Sequence, residues 1–169
     1  MDSLYPGRSF YLEDKKMSKT FKIIILVLFI IVVSMTFIYG WMQLSKNFSL
    51  IEMTKSQTAE RKGISNDPSP DHLENLRLLC ERVLQPVRDH FNHVVSVSSG
   101  YRSPQLSQAI GSSPDSQHCQ GMAADFEIYG TPNNEIFNWI KNNLMYDQMI
   151  LEYWNSDEPN SGWIHVAYN

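Results

Sequence analysis

Apolar positions fall into three different periods along this chain, and each period predicts a different kind of element. From Ile23 to Trp41 the sequence IIILVLFIIVVSMTFIYGW carries no charged residue. As a helix rising 1.5 Å per residue it reaches roughly 28 Å, the thickness of a hydrocarbon core. Further on, Leu73, Leu76, Cys80, Val83, Leu84, Val87 and Phe91 recur three and four residues apart, the single buried stripe of an amphipathic helix. Ser69 as N-cap and Pro70 at the first helical position open that helix, and Pro86 is expected to kink or end it. The third period is two. HVVSVSS from His93 to Ser99, MAADFEI from Met122 to Ile128, QMILEYW from Gln148 to Trp154 and WIHVAY from Trp163 to Tyr168 all read as strands.

The turn-rich NSDEPNSG between the last two strands makes an antiparallel hairpin the simplest connection. A short helix from Gln105 to Ile110 and the polar loop GSSPDSQ separate the first two strands. Thr131-Pro132 opens another helix, whose Ile136, Trp139, Ile140 and Leu144 share a face. The expected fold class is therefore α+β, a small antiparallel sheet flanked by helices and preceded by one transmembrane helix. With 169 residues and 43% apolar content, one core-bearing domain is expected with extras around it.

Charge places the apolar segment. Lys15, Lys16, Lys19 and Lys22 precede it, whereas the flank after it is mixed, so residues 1–22 are expected in the cytoplasm, 23–41 in the membrane and 42–169 outside. A cleaved signal peptide competes with an uncleaved signal anchor, but the run is long for one and no A-x-A-like site follows it. Met42 as a start is a third reading, because the residues from there onward read as a complete soluble domain. The 14 basic and 18 acidic residues are scattered, with no basic block dense enough to follow a phosphate backbone, so nucleic acid is not an expected partner. Cys80 and Cys119 are the only cysteines, which excludes a disulfide scaffold and a four-cysteine zinc site. Cys80 lies on the apolar stripe, where a buried free thiol is expected.

The candidate chemistry lies in Ser116-Gln-His118-Cys-Gln-Gly121-Met-Ala123-Ala124-Asp125 and in the later Trp163-Ile-His165. Zinc accepts imidazole nitrogen and carboxylate oxygen at about 2.0–2.2 Å, and a catalytic site keeps three protein ligands and one open position. His118, Asp125 and His165 supply that count. Asp125 and His165 fall on separate strands that can converge with His118 from the preceding loop, and Gly121 and Ala123 leave room for the approach. An ion there acidifies a water to a pKa of about 7 and polarises a carbonyl. The spacing also fits a loop histidine, a strand-end cap and a core histidine beside Trp163, and taken alone it leaves both readings open.

Three motifs together carry a resemblance: SGYRSP at Ser99 to Pro104, S-x-H-x-x-G-x-A-x-D at Ser116 to Asp125, and W-I-H at Trp163 to His165. In that order they resemble the D-Ala-D-Ala carboxypeptidase-like zinc peptidases, most closely the short single-domain members of bacteria and their phages. Similarity runs over nearly all of Leu44 to Tyr168, including the opening segment NFSLIEMTKSQTAERKGI. The resemblance implies Zn2+ held by His118, Asp125 and His165, with Arg102 binding substrate and stabilising an oxyanion. A guanidinium that stays charged and offers a rigid fork of donors suits that role. It also implies Ser116 as a hydrogen-bond donor to substrate, although a loop-capping serine fits the same position.

The sequence departs from much of that family at the general base. Several members place a glutamate three residues before the last histidine, where this chain has Gly162. Glu152 is the expected substitute, because it shares a strand face with Gln148 and Ile150; Asp157 and Glu158 in the following loop are the next candidates. His72, His90 and His93 have no carboxylate at ligand spacing and are assigned no metal. Trp154 and Trp163 are expected at core or rim. The reading is thus a membrane-anchored zinc metallopeptidase that hydrolyses peptidoglycan stem peptides, as a D-Ala-D-Ala carboxypeptidase or an L-Ala-D-Glu endopeptidase, in phage lysis or wall processing. A non-catalytic wall-binding or structural module that retains the zinc site is the alternative, motivated by Gly162.

Overall fold

The protein is described by a computed structural model over residues 18–169; of residues 37–39 and 41 only the backbone is described. The expected cytoplasmic segment therefore lies largely outside the described residues, Lys15 and Lys16 included. Two units divide at Tyr39 and Gly40. Helix α1, Lys19–Met42, begins in the first and runs three residues past the division, and its window Lys19–Thr36 is apolar and unburied. It is long and apolar enough to cross a membrane, a test that a signal sequence also passes.

In the second unit two short helices, α2 (Leu50–Thr54) and α3 (Gln57–Lys62), precede a long helical run. Ser49 and Ser56 cap α2 and α3 through their hydroxyls, and Ser69 caps α4 (Pro70–Leu79) in the same way. The run does not end at Pro86. Cys80–Leu84 form a π turn, after which α5 (Gln85–Phe91) carries Pro86 in its first turn. Proline has no N–H to donate, and the wider turn places the break in the helical ladder just ahead of it. Asn92 then ends the helix in a left-handed conformation at φ 52°, its N–H bonded to the Arg88 carbonyl.

The sheet comprises β1 (Val95–Ser99), β2 (Ala123–Ile128), β3 (Gln148–Glu152) and β4 (Trp163–Ala167). Its order is β1-β2-β4-β3, with every neighbouring pair antiparallel. β3 and β4 form the expected hairpin. Between β1 and β2 lie α6 (Pro104–Ala109) and a 3-10 turn, Gln117–Gln120, and α7 (Asn133–Asn143) links β2 to β3. The fold is thus mixed, helices with a small antiparallel sheet, as the alternating periods imply.

Alternation gives the sheet two unlike faces. Ala124, Phe126 and Ile128 on β2 and Ile164 and Val166 on β4 point into one core with Leu76, Leu79, Cys80, Val83, Leu84 and Val87 of the helical run and Ile136 and Ile140 of α7. Burying each of the larger of these side chains contributes about 2 kcal/mol, so the apolar stripe and the β2 and β4 faces hold the unit together. The residues between them on β2 and β4 face the other way.

Candidate metal centre

Strand register builds the centre. Asp125 on β2 pairs directly with His165 on β4, and Ile150 of β3 pairs with His165 from the other side. Directly opposed residues point to the same face, so the pairing alone brings a carboxylate beside an imidazole. His165 Nδ1 lies 2.8 Å from Asp125 Oδ1. His118 reaches the same carboxylate from the 3-10 turn, its Nε2 3.3 Å from Asp125 Oδ1.

The ligand atoms of His118, Asp125 and His165 lie within 4.8 Å of one another, and the three side chains are 2%, 13% and 10% exposed. Burial alone raises the Asp125 pKa. Hydrogen bonds from His118 and His165, and their charge, outweigh it and hold the carboxyl well below its usual range. The donor set fits a divalent ion. Two imidazoles and a carboxylate make a catalytic zinc ligand count, and His118 Nδ1 is already taken by the Gly100 carbonyl at 2.7 Å, which leaves Nε2 for the cluster.

Two loops hold His118 in place. Ser116 caps the 3-10 turn, its hydroxyl accepting from the His118 N–H, so its observed contact is the capping one. Gly121 closes the turn at φ 73°, and a Cβ there would run into the His72 carbonyl of α4. Its need for glycine therefore comes from turn geometry and close helix approach, not from making room beside the metal as the sequence suggested.

Arg102, Ser116, Glu152 and Trp163 line one cavity of about 560 Å³ with the three candidate ligands. Gln148 and Ile150 line it too, but this β3 face is solvent-facing and not the inward-leaning one expected: Met149 and Leu151 pack on the core, and Ile150 is 40% exposed. Asp157 and Glu158, the runners-up for general base, are fully exposed in the loop and do not line the cavity. Gly162 explains why a glutamate is missing there. It sits at φ 67°, and a Cβ would collide with the Glu152 carbonyl and the backbone of Tyr153 and Trp154, so this backbone admits no side chain at that position.

Two buried donors in this cavity, Arg102 Nε and Trp163 Nε1, have no partner among the described residues. Buried donors are ordinarily satisfied, so these two stand out beside the candidate ligands. The other histidines are elsewhere: His90 stacks on Trp139, His93 Nδ1 meets the Phe91 carbonyl, and His72 lies against Tyr101. Trp154 donates to the Pro159 carbonyl at the loop. Cys80 and Cys119 are both buried free thiols.

Sequence reasoning missed two asparagines. Asn66 donates to the Thr54 and Tyr101 carbonyls and accepts from the Ser103 N–H, bracketing Arg102 on both sides. Asn133 donates to the Ser161 and Gly162 carbonyls, clamping the segment that leads into β4. Asn66 stands alone in its loop and Asn133 is the first residue of α7, so no spacing pattern marked either.

An α+β domain in which a sheet aspartate and histidine meet a second histidine from a 3-10 turn, in a cavity that an arginine and a glutamate also line, has the side chains of a metal-dependent hydrolase. The family model described as Peptidase M15 matches residues 46–167, and the chain belongs to that family, the D-Ala-D-Ala carboxypeptidase-like peptidases. It is therefore a metallopeptidase of peptidoglycan-related type. No curated protein matches the chain.

Proposed function

We propose that the protein is a zinc peptidase that hydrolyses peptide bonds in peptidoglycan stem peptides, with His118, Asp125 and His165 as ligands. The observation that carries this reading is the convergence of those three with Arg102 and Glu152 on one cavity in a Peptidase M15 member. Zinc bound there supplies a Lewis acid and an acidified water. Glu152, on the β3 face that lines the cavity, takes the proton from the attacking water and returns it to the leaving amine. Arg102 holds the substrate carbonyl as negative charge develops on it. Ser116, which also lines the cavity, is the candidate hydroxyl donor to substrate.

α1 serves as an uncleaved anchor in this reading, with the N-terminus inside and residues 42–169 on the side where the wall lies. The rival is a wall-binding module without turnover, motivated by Gly162; Glu152 among the residues lining the cavity supports the hydrolytic reading over it. The test is mass spectrometry of purified peptidoglycan fragments incubated with the full chain in detergent, with chelator and with zinc restored. Loss of a terminal D-alanine or scission after L-alanine, abolished by chelator and restored by zinc, is expected. Absence of any cleavage by folded, zinc-replete protein would favour the binding module.

A further inference from the structure

A second cavity, of about 470 Å³, shares one lining residue, Arg102, with the metal cavity. Lys55, just after α2, and Arg61, within α3, line it as well, whereas no acidic side chain does. None of these three cations is in an ion pair among the described residues. In a chain of net charge −4, a cavity walled by cations alone is not an average piece of its surface. Leu106 and Ile110 give it an apolar side, and the hydroxyls of Ser56, Thr58 and Ser99 add polar atoms around the cations.

We propose that this cavity is a substrate subsite that takes a free carboxylate of the stem peptide at a distance from the bond being cut. The proposal rests on reading the metal cavity as the cutting site and names what lies beyond it. Arg102 is the hinge of the assignment. Its place on both cavities lets one guanidinium sit between the scissile carbonyl and the remote carboxylate. Lys55 and Arg61 are exposed and held loosely, Arg61 only by Gln57 Oε1 at 2.8 Å, so they can close on an anion without breaking an existing ion pair.

The probe is a pair of short stem-type peptides whose D-glutamyl residue carries either a free α-carboxylate or the corresponding amide. Calorimetric binding to the zinc-loaded full chain in detergent is compared with binding to the doubly exchanged Lys55→Gln, Arg61→Gln protein. The positions are exposed, so folding is expected to survive the exchange, and circular dichroism checks it. We expect the wild-type chain to prefer the acid over the amide by about tenfold or more, and the double variant to lose that preference. An equal affinity of the wild type for both peptides, or a preference that persists in the double variant, overturns the subsite. Turnover of the same peptides is read separately. Acid-selective binding that needs Lys55 and Arg61, without cleavage at any zinc level, upholds the subsite and sinks the hydrolytic reading.

Discussion

The two walls of the metal cavity are built by different physics. The sheet wall, Asp125, His165, Ile150 and Glu152, is placed by strand register, because residues opposite one another on antiparallel strands must share a face. The loop wall, His118, Ser116 and Arg102, is placed one hydrogen bond at a time by Ser116, Gly100 and Asn66. A one-residue slip would remove the whole sheet wall at once, while the loop wall can loosen at one residue and keep the rest. The sheet wall supplies two of the three candidate ligands, and the loop wall supplies the third, His118, together with Ser116 and Arg102.

Four exchanges separate those contributions. Asp125→Ala removes the carboxylate that joins both histidines; metal content by elemental analysis is expected to fall to background and turnover with it. Full metal occupancy in that variant would show that the sheet wall does not hold the ion. Glu152→Gln should keep the metal and lose turnover by about 10²–10⁴-fold, the range for a general base. An unchanged rate would return the search to other groups in the cavity.

Smaller effects are expected where the walls are only braced. Gly162→Ala forces a Cβ against the Glu152 carbonyl from a left-handed backbone, and thermal unfolding should report a loss of about 3 kcal/mol. A neutral result would mean that the turn ahead of β4 rearranges freely. Asn66→Ala, at the bottom of the series, should cost about 1–2 kcal/mol and raise KM more than it lowers kcat, because it frees the loop that presents Arg102. A drop in kcat alone would place Arg102 in the chemical step without positioning help from Asn66.

The contrast between the walls also explains what could be read in the sequence. Period two turned Gln148, Ile150 and Glu152 to one face and gave the hairpin that carries His165, and the apolar stripe from Leu73 to Phe91 gave the core helix. What periodicity does not encode is which residue faces which. That Asp125 lies opposite His165 is a register, set by the long path from β2 through α7 and β3 to β4. Nor does it encode loop braces: Asn66 and Asn133 work through backbone carbonyls distant in sequence, which leave no spacing pattern. Pro86 was legible as a disruption, but the helix absorbs it in a π turn and continues. Gly162 was legible as a missing glutamate, and its φ of 67° shows the cause to be backbone geometry.

The two walls are claimed to meet at one ion, and X-ray absorption at the zinc edge on the full chain tests that most directly. Scattering from two imidazoles and from oxygen at about 2.0–2.2 Å, with no sulfur shell, is the expected spectrum. A sulfur shell at about 2.3 Å would place Cys119, the neighbour of His118, on the metal and contradict the His118, Asp125 and His165 centre.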